Sequence, residues 1–525
     1  MRMNAYLWSL YLKSGGQAVV DRFASFETGN RRGFSDFILS LVMAYCPDTA
    51  LAHDFVQDID NAITILEQPE EAKEDAVEDT AAKSTLKESR TYADDAEEDW
   101  QDFRQALPDN LPVSSLERET LHTFCDSLTC FSVVCYADAP SVYIPYFFLR
   151  LYNVLTAIAT LFEIDLPEVP GPKNYKDRFL FYYALCSTFS NLQKEQGWSS
   201  AELCAFLYDF APKFAGGTSW IWQTLPEPHA AFVIGAPPDT SERWQFAKEK
   251  AIFSWQGNPD TQPGDMVLLY QWTPVSAFTS VWQAVAPGFI DPFFWYYRCI
   301  YMGNPTKILP LSFKTLKSNP VLSQIPLIKA HMQGMNGTEL KPSQYNALVE
   351  LIHKEGSPVP ALPMLTNHFD AEPERLVIRT EHDVELLLLE PLLDRLGWTR
   401  EQYVRQLPLH MGRGNCVYPD YVILPQLTPH SEKGFCVVEA KKTISSTKQL
   451  HIDCRQAASY AYRLDASKLM LVAQEGIWLA DRKDDFTQLQ SYSWEQLQNN
   501  DVFSEINAVI GNHRRKAIST RSHHK

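Results

Sequence analysis

Apolar residues recur at two different spacings along this 525-residue chain, and the change of spacing divides it. Over residues 1–65 the pattern is helical. Phe34, Phe37, Ile38 and Leu41 fall three or four apart, on one face of a helix. The same period returns over 101–215, first in Phe147, Leu151, Leu155 and Ile158. It continues in Phe179, Phe181, Tyr182, Leu203, Phe206 and Leu207. These stripes predict a packed helical core. Residues 131–162 are strongly apolar, but Asp138, Pro140, Pro145 and Arg150 interrupt them, so they predict core helix rather than a membrane span.

From about 216 the texture changes. Short β-like runs alternate with Gly, Pro and Asn: Ala231–Ile234, Met266–Tyr270, Phe278–Val285 and Trp295–Tyr301. A helix-like stretch from Leu340 to Ile352 closes this unit, 216–352. Residues 353–375 carry Pro358, Pro360, Pro363 and Pro373 and read as a linker. The last unit, 376–510, opens with an amphipathic helix over Glu381–Leu396, bent at Pro391 and ended by Gly397. Strands over Tyr421–Leu424 and Phe435–Lys441, a helix over about Lys448–Leu464 and a strand over Leu469–Val472 follow. That order predicts an α/β unit.

Composition adds little to the fold but something to the function. With 45% apolar, 21% charged and 12% aromatic residues the chain is globular, and its length predicts two to four domains. The net charge is −17. Thirteen Asp and Glu against four Lys and Arg between Glu67 and Trp100 supply −9 of it. Residues 66–100, almost free of large apolar groups, therefore predict an acidic linker or disordered loop. The tail, 511–525, is basic through Arg514, Arg515, Lys516, Arg521 and Lys525. A bulk acidic charge does not exclude a locally basic groove. The ten cysteines include no Cys-x-x-Cys pair, and no His follows Cys125, Cys130 and Cys135 at finger spacing. Buried thiols in a reducing, cytoplasmic setting are expected rather than zinc ligands. Ala5-Tyr6-Leu7-Trp8 opens an apolar run without a cleavage-type ending, so no signal peptide is expected. The sequence holds no Gly-x-x-x-x-Gly-Lys-Ser/Thr loop, so either cutting is NTP-independent or a separate subunit supplies the motor.

The candidate chemistry lies near the C-terminus. Tyr418-Pro419-Asp420-Tyr421 precedes Val437-Val438-Glu439-Ala440-Lys441. Side chains alternate along a strand, so Glu439 and Lys441 share a face. Asp420 and Glu439 can offer hard oxygen ligands to Mg²⁺, with Mn²⁺ as the alternative. A divalent ion there offsets phosphate charge and acidifies an attacking water. Lys441 can orient that water or stabilise developing charge. The plainer reading makes Asp420 a turn residue and Glu439 and Lys441 an exposed pair. A charged pair ending so apolar a strand argues for a cleft.

In this order and context, the motif resembles the PD-(D/E)xK nuclease superfamily. Glu381-His382-Asp383-Val384-Glu385, Pro391-Leu392-Leu393 and Leu396-Gly397-Trp398 are similar to the nuclease domain that begins type I restriction motor subunits. Gln456-Ala457-Ala458-Ser459-Tyr460 matches the Gln-x-x-x-Tyr that members often carry on the helix after the Glu-x-Lys strand. Four apart, Gln456 and Tyr460 share a helix face. The resemblance implies a restriction-endonuclease-like fold and phosphodiester hydrolysis, with Glu381 or Glu385 as the first-helix carboxylate.

The middle unit carries Pro263-Gly264-Asp265-Met266-Val267-Leu268-Leu269-Tyr270, Val281-Trp282-Gln283-Ala284-Val285, Asp291-Pro292-Phe293, Leu311-Ser312-Phe313-Lys314-Thr315-Leu316 and Asn319-Pro320. It resembles an EVE domain, a small barrel of the PUA-like group that includes YTH readers. The resemblance implies a reader of modified bases, gripping a flipped base by stacking and its added group by apolar contact or a hydrogen bond. Trp255 is the first candidate, then Trp244, Trp282 and Tyr296. Taken singly, each of them reads more readily as an ordinary core aromatic.

The expected protein is multidomain: an α-helical N-terminal region, a PUA-like β-barrel (α+β) and an α/β restriction-endonuclease-like domain. The expected function is metal-dependent cleavage of foreign, phage-type DNA carrying modified bases. Two cuts on a duplex need two active sites, which points to a homodimer. No membrane partner is expected. Two alternatives stand: a defence nuclease switched on by an RNA or nucleotide-like signal, and a non-catalytic nucleic-acid-binding scaffold.

Overall fold

In the computed structural model, which describes residues 4–68, 115–238, 251–410, 416–428 and 431–512, the helical periodicity yields helices. They are Ala5–Tyr11, Gln17–Glu27, Phe34–Val42 and Thr49–Glu67, then Ser115–Asp138, Tyr152–Phe162 and Tyr175–Gln196. A last one starts at Ser200 and runs on to Phe214. Several carry the side-chain caps that free N–H groups demand. The Asn174 side chain accepts from Asp177 N–H, and Ser199 forms a capping box with Glu202. The Phe34 stripe packs as expected, with Phe34 and Ile38 fully buried. Most of the acidic stretch (69–100) and of the basic tail (513–525) lies outside the described residues.

One expectation is corrected here. Phe147 and Leu151 belong to no helix, because the chain between Asp138 and Tyr152 is not helical. Pro140 and Pro145 break the pattern. Phe147 is nevertheless fully buried, and the free Tyr146 N–H is taken by Ser132 Oγ at 2.8 Å. Among the described residues no helix is long and apolar enough to cross a membrane. All ten cysteines are free thiols, and eight are buried, as their scatter suggested.

The middle unit is one curled, mixed sheet. Its strands are β1 (Ala231–Ala236), β2 (Phe253–Gln256), β3 (Met266–Gln271), β4 (Ala277–Ala284), β5 (Phe289–Ile290), β6 (Arg298–Ser312) and β7 (Asn336–Leu340). The order is β2-β6-β4-β3-β1-β7, with β5 beside β6. Only β1 and β3 run parallel. The two ends of this order meet, since Asn258 Nδ2 donates to the Gly337 carbonyl at 3.1 Å. Gly337 has φ +72°, and a Cβ there would lie 2.2 Å from Asn258 N, so only glycine allows this closure. The strand expected over Trp295–Tyr301 starts instead at Arg298. Residues 291–297 form a turn, held by the Asp291 carboxylate and by Tyr297 at φ +66°. The helix Pro342–Lys354 follows β7.

Packing does not pause at 216. Val285, Ala286, Phe293 and Tyr301 of the middle unit belong to the same apolar cluster as the N-terminal helices. The proline-rich stretch is docked as well: Leu362 and Leu365 enter the core of the middle unit, Phe369 and Ala371 that of the last.

The last unit is a six-stranded sheet between helices. Its strands are β8 (Tyr403–Arg405), β11 (Tyr421–Ile423), β12 (Cys436–Ala440), β13 (Lys468–Ala473), β14 (Gly476–Asp481) and β15 (Gln490–Tyr492). The order is β15-β14-β13-β12-β11-β8, while β9 (Leu409–His410) and β10 (Cys416–Val417) form a small ribbon. Strands β12 and β13 are parallel, joined by the helix Thr447–Arg463. Alternation sorts the residues between the two faces. Tyr421, Ile423, Cys436, Val438 and Ala440 pack toward the first helix; Val422, Val437, Leu469 and Leu471 pack toward Thr447–Arg463. The first helix begins at Glu381 and ends at Arg395, with a wide π turn at Glu385–Leu389. Its irregularity thus lies one turn before Pro391, where the ring cannot supply an N–H.

Candidate active site and aromatic pocket

Asp420 precedes β11 and Glu439 lies near the end of β12, its antiparallel neighbour. Each carboxylate is held by the backbone of the other strand. Glu439 Oε1 accepts from Asp420 N–H at 3.2 Å, and Asp420 Oδ2 accepts from Ala440 N–H at 2.9 Å. Lys441 Nζ stands 3.4 Å from Glu439 Oε2, on the same face as alternation requires. Glu439 is only 2% exposed. Burial, then the charge of Asp420, pushes its carboxyl up to about 7, against the pull of Lys441. Burial also raises Asp420, aided by Glu385 and Glu381 and opposed by Ala440 N–H and Lys441. Burial would lower Lys441, but Glu439, Glu381 and Asp420 outweigh it and hold the ammonium above its ordinary range.

The two first-helix acids, inseparable in the sequence, differ here. Glu385 is buried and takes Arg405 Nη2 at 2.6 Å, with His382 Nδ1 and the Tyr421 hydroxyl each at 3.4 Å. Arg405 comes from β8, which pairs β11 so that Arg405 lies opposite Tyr421. Glu381 is exposed, and its charge acts on both Asp420 and Lys441. On the Thr447–Arg463 helix Gln456 Nε2 donates to the Tyr460 hydroxyl at 3.1 Å, while Ala457 and Ala461 bury against the sheet. Gln456 is exposed and Tyr460 half-buried. The same stripe holds Asp453, buried and bonded to Gln449 Nε2 at 2.8 Å. Sequence reasoning missed Asp453; its one signal is an acid on the apolar side of that helix.

These donors fit a hard divalent cation. Two carboxylates share one buried corner with a single ammonium, and both are pushed toward protonation. Among the described residues no three His, Cys, Asp or Glu converge as a metal cluster. Mg²⁺ needs only one or two carboxylates when water and phosphate complete its shell.

No family model matches the chain, and no curated protein matches it. The NMR structure of Rpa0253 from Rhodopseudomonas palustris is similar to 24% of this chain and 92% of its own, at 14% identity and a TM-score of 0.20. At that score the likeness bears on neither fold nor function.

The middle unit holds a second candidate site, a cavity of about 550 Å³. Tyr270, Trp272, Tyr296 and Phe313 give it aromatic walls, and Gln256 and Asn336 give it amide groups. Of the three described residues among the four aromatics singled out in the sequence, Trp255, Trp282 and Tyr296, only Tyr296 lines it. Trp255 stands behind, its ring 5.7 Å from that of Tyr296 and its indole N–H on the Gly235 carbonyl at 2.9 Å. Trp282 is a core residue: it is fully buried, and its indole N–H meets Ser280 Oγ at 2.8 Å. Trp244 lies outside the described residues. Trp272, which sequence reasoning missed, directly follows β3. A Cβ on Gly235 would lie 2.4 Å from its indole nitrogen, so the glycine makes room for this wall.

Proposed function

We propose that the chain is a divalent-metal-dependent endonuclease that restricts DNA carrying modified bases. On this reading, 376–510 is a PD-(D/E)xK nuclease domain and 216–352 an EVE-type, PUA-like reader. The mutual grip of Asp420 and Glu439, with Lys441 beside them, carries the proposal. A cation held by these carboxylates would neutralise phosphate charge and acidify a water. The chain's own groups do the rest. Lys441 stays protonated and meets the negative charge that develops on the phosphate. Glu381, free of the Arg405 clamp that occupies Glu385, is the first-helix acid that serves the site. Gln456 and Tyr460, bonded to each other, present polar groups from the helix beside it. The aromatic cavity is of a size that suits small ligands, and it would stack a flipped base between Trp272 and Tyr296.

The test is incubation of the protein and its Asp420→Ala variant with Mg²⁺ and three duplexes, unmodified, methylcytosine-bearing and hydroxymethylcytosine-bearing. Cleavage of a modified duplex by wild type alone is expected. Equal cleavage of all three removes the reader. No cleavage by wild type, with or without nucleotide or partner, favours a scaffold.

A further inference from the structure

Tyr296 sits in the 291–297 turn, and the N-terminal helices hold that turn from behind. Arg178, on Tyr175–Gln196, is 1% exposed. Its Nε donates to the Pro292 carbonyl at 3.0 Å, and its Nη2 to the Phe294 carbonyl at 2.9 Å. Nη1 reaches back to the Pro172 carbonyl at 3.2 Å, so one planar fork ties the turn to the helical region. The guanidinium also lies over the Tyr297 ring, 5.2 Å from its centre. The Tyr297 hydroxyl donates to the Pro170 carbonyl at 2.6 Å. Asp291 accepts from the Arg150 N–H, and His122 meets Trp295 edge-on at 4.6 Å. On β2, Asp48 Oδ2 accepts from both the Ser254 N–H and the Ser254 hydroxyl, two residues before Gln256, which lines the cavity.

Turns are ordinarily mobile, and ordering a side chain on binding opposes affinity. Here the hydrogen bonds of a buried guanidinium go to main-chain carbonyls, two of them within two to four residues of Tyr296. We infer that Arg178 is a positioning residue for ligand recognition, and that the N-terminal helices serve to hold the Tyr296 wall of the cavity in its binding geometry. This rests on the cavity being the base-binding site.

Binding is measured by anisotropy to duplexes with one methylcytosine or hydroxymethylcytosine and to the unmodified duplex, for wild type, Arg178→Lys, Tyr297→Phe and Tyr136→Phe. Lysine keeps the charge but not the fork. Tyr297→Phe removes one hydroxyl and carries the test alone should Arg178→Lys not fold. Tyr136, buried and bonded to Glu27, belongs to the same helices but not to the clamp. Arg178→Lys and Tyr297→Phe are expected to weaken binding of the modified duplex by about two- to tenfold, the scale of one side chain's ordering. Binding of unmodified DNA stays level. Tyr136→Phe lowers the melting temperature and leaves discrimination intact. Unchanged discrimination in both clamp variants overturns the inference. So does an equal loss in Tyr136→Phe, which would mean general loosening. A wild type that binds all three duplexes equally overturns the base-binding reading itself.

Discussion

Asp420 and Glu439 each accept a hydrogen bond from the other's strand, at 2.9 and 3.2 Å, so neither carboxylate can turn away without freeing a backbone N–H. Two acids thus fixed face to face oppose one another when both are ionised. Asp420→Asn keeps an oxygen for Ala440 N–H and removes that repulsion. It is expected to raise the melting temperature in metal-free buffer by a few degrees, about 2–4 °C per kcal/mol for a unit of this size. The same variant should lose Mg²⁺-dependent cleavage and the melting shift that Mg²⁺ gives wild type. Calorimetry with and without Mg²⁺ reads both; a lowered melting point in metal-free buffer contradicts the geometry.

Lys441 is tested differently, because its ammonium is held by Glu439 and is not itself an oxygen ligand. Lys441→Ala should lower kcat by about 10²–10³, the scale of one electrostatic stabiliser. The affinity for DNA should change far less. A loss confined to affinity would make Lys441 a docking group only.

What was legible in the sequence follows from backbone geometry. Glu439 and Lys441 share a face because strands alternate, and the strand–helix–strand around Thr447–Arg463 follows from apolar period and capping. What was not legible depends on residues distant in the chain. Glu381 and Glu385 separate only because β8 brings Arg405 opposite Tyr421. Phe147 has the spacing of a helix and the burial of a core residue, yet prolines keep its chain out of a helix. Trp282 and Trp272 are both aromatics by strand termini. Only the fold puts one at full burial and the other in a cavity wall.

That contrast is measurable. Trp272→Ala should weaken binding of modified DNA by about 1–3 kcal/mol, a stacking loss. Its loss of stability should be smaller than a fully buried tryptophan would give, because its ring is only half-buried against the core. Trp282→Ala should instead destabilise the fold by about 3–5 kcal/mol. Denaturant titration beside a binding assay distinguishes them, and a Trp272 variant that binds normally puts the ligand elsewhere.

Asp291 gives a pH dependence with a definite sign. It is fully buried, and burial pushes its carboxyl up to about 6 despite N–H groups from Phe293, Arg150 and Phe294 and the charge of Arg178. Below about pH 4 the group is protonated in both folded and unfolded chains. Between about 4 and 6 only the folded chain keeps the proton, so stability falls as pH rises, by about 1.4 kcal/mol per unit at most. Above 6 this contribution is flat. Asp291→Asn removes it, so the wild-type-minus-variant stability should fall by about 3 kcal/mol across that window. Urea unfolding at pH 4, 5, 6 and 7 measures it, and a difference that rises with pH would reverse the assignment.

The last prediction concerns where the cut falls. Ser343, in the helix that closes the middle unit, donates its N–H and hydroxyl to Asp501 of the last unit at 2.9 and 2.7 Å. Lys341 pairs with Glu505 at 3.1 Å, and Asn367 in the intervening stretch donates to the His229 carbonyl. With the stretch itself buried at Leu365 and Phe369, cavity and carboxylates are held at a fixed separation. Cleavage should therefore fall within a narrow distance of a single modified base. Asp501→Ala, which removes exposed hydrogen bonds worth about 1 kcal/mol, should broaden that distribution more than it lowers the total rate. Mapping cut ends at nucleotide resolution decides it: scattered cuts by wild type, still dependent on the modification, would mean that the two units move freely despite these contacts.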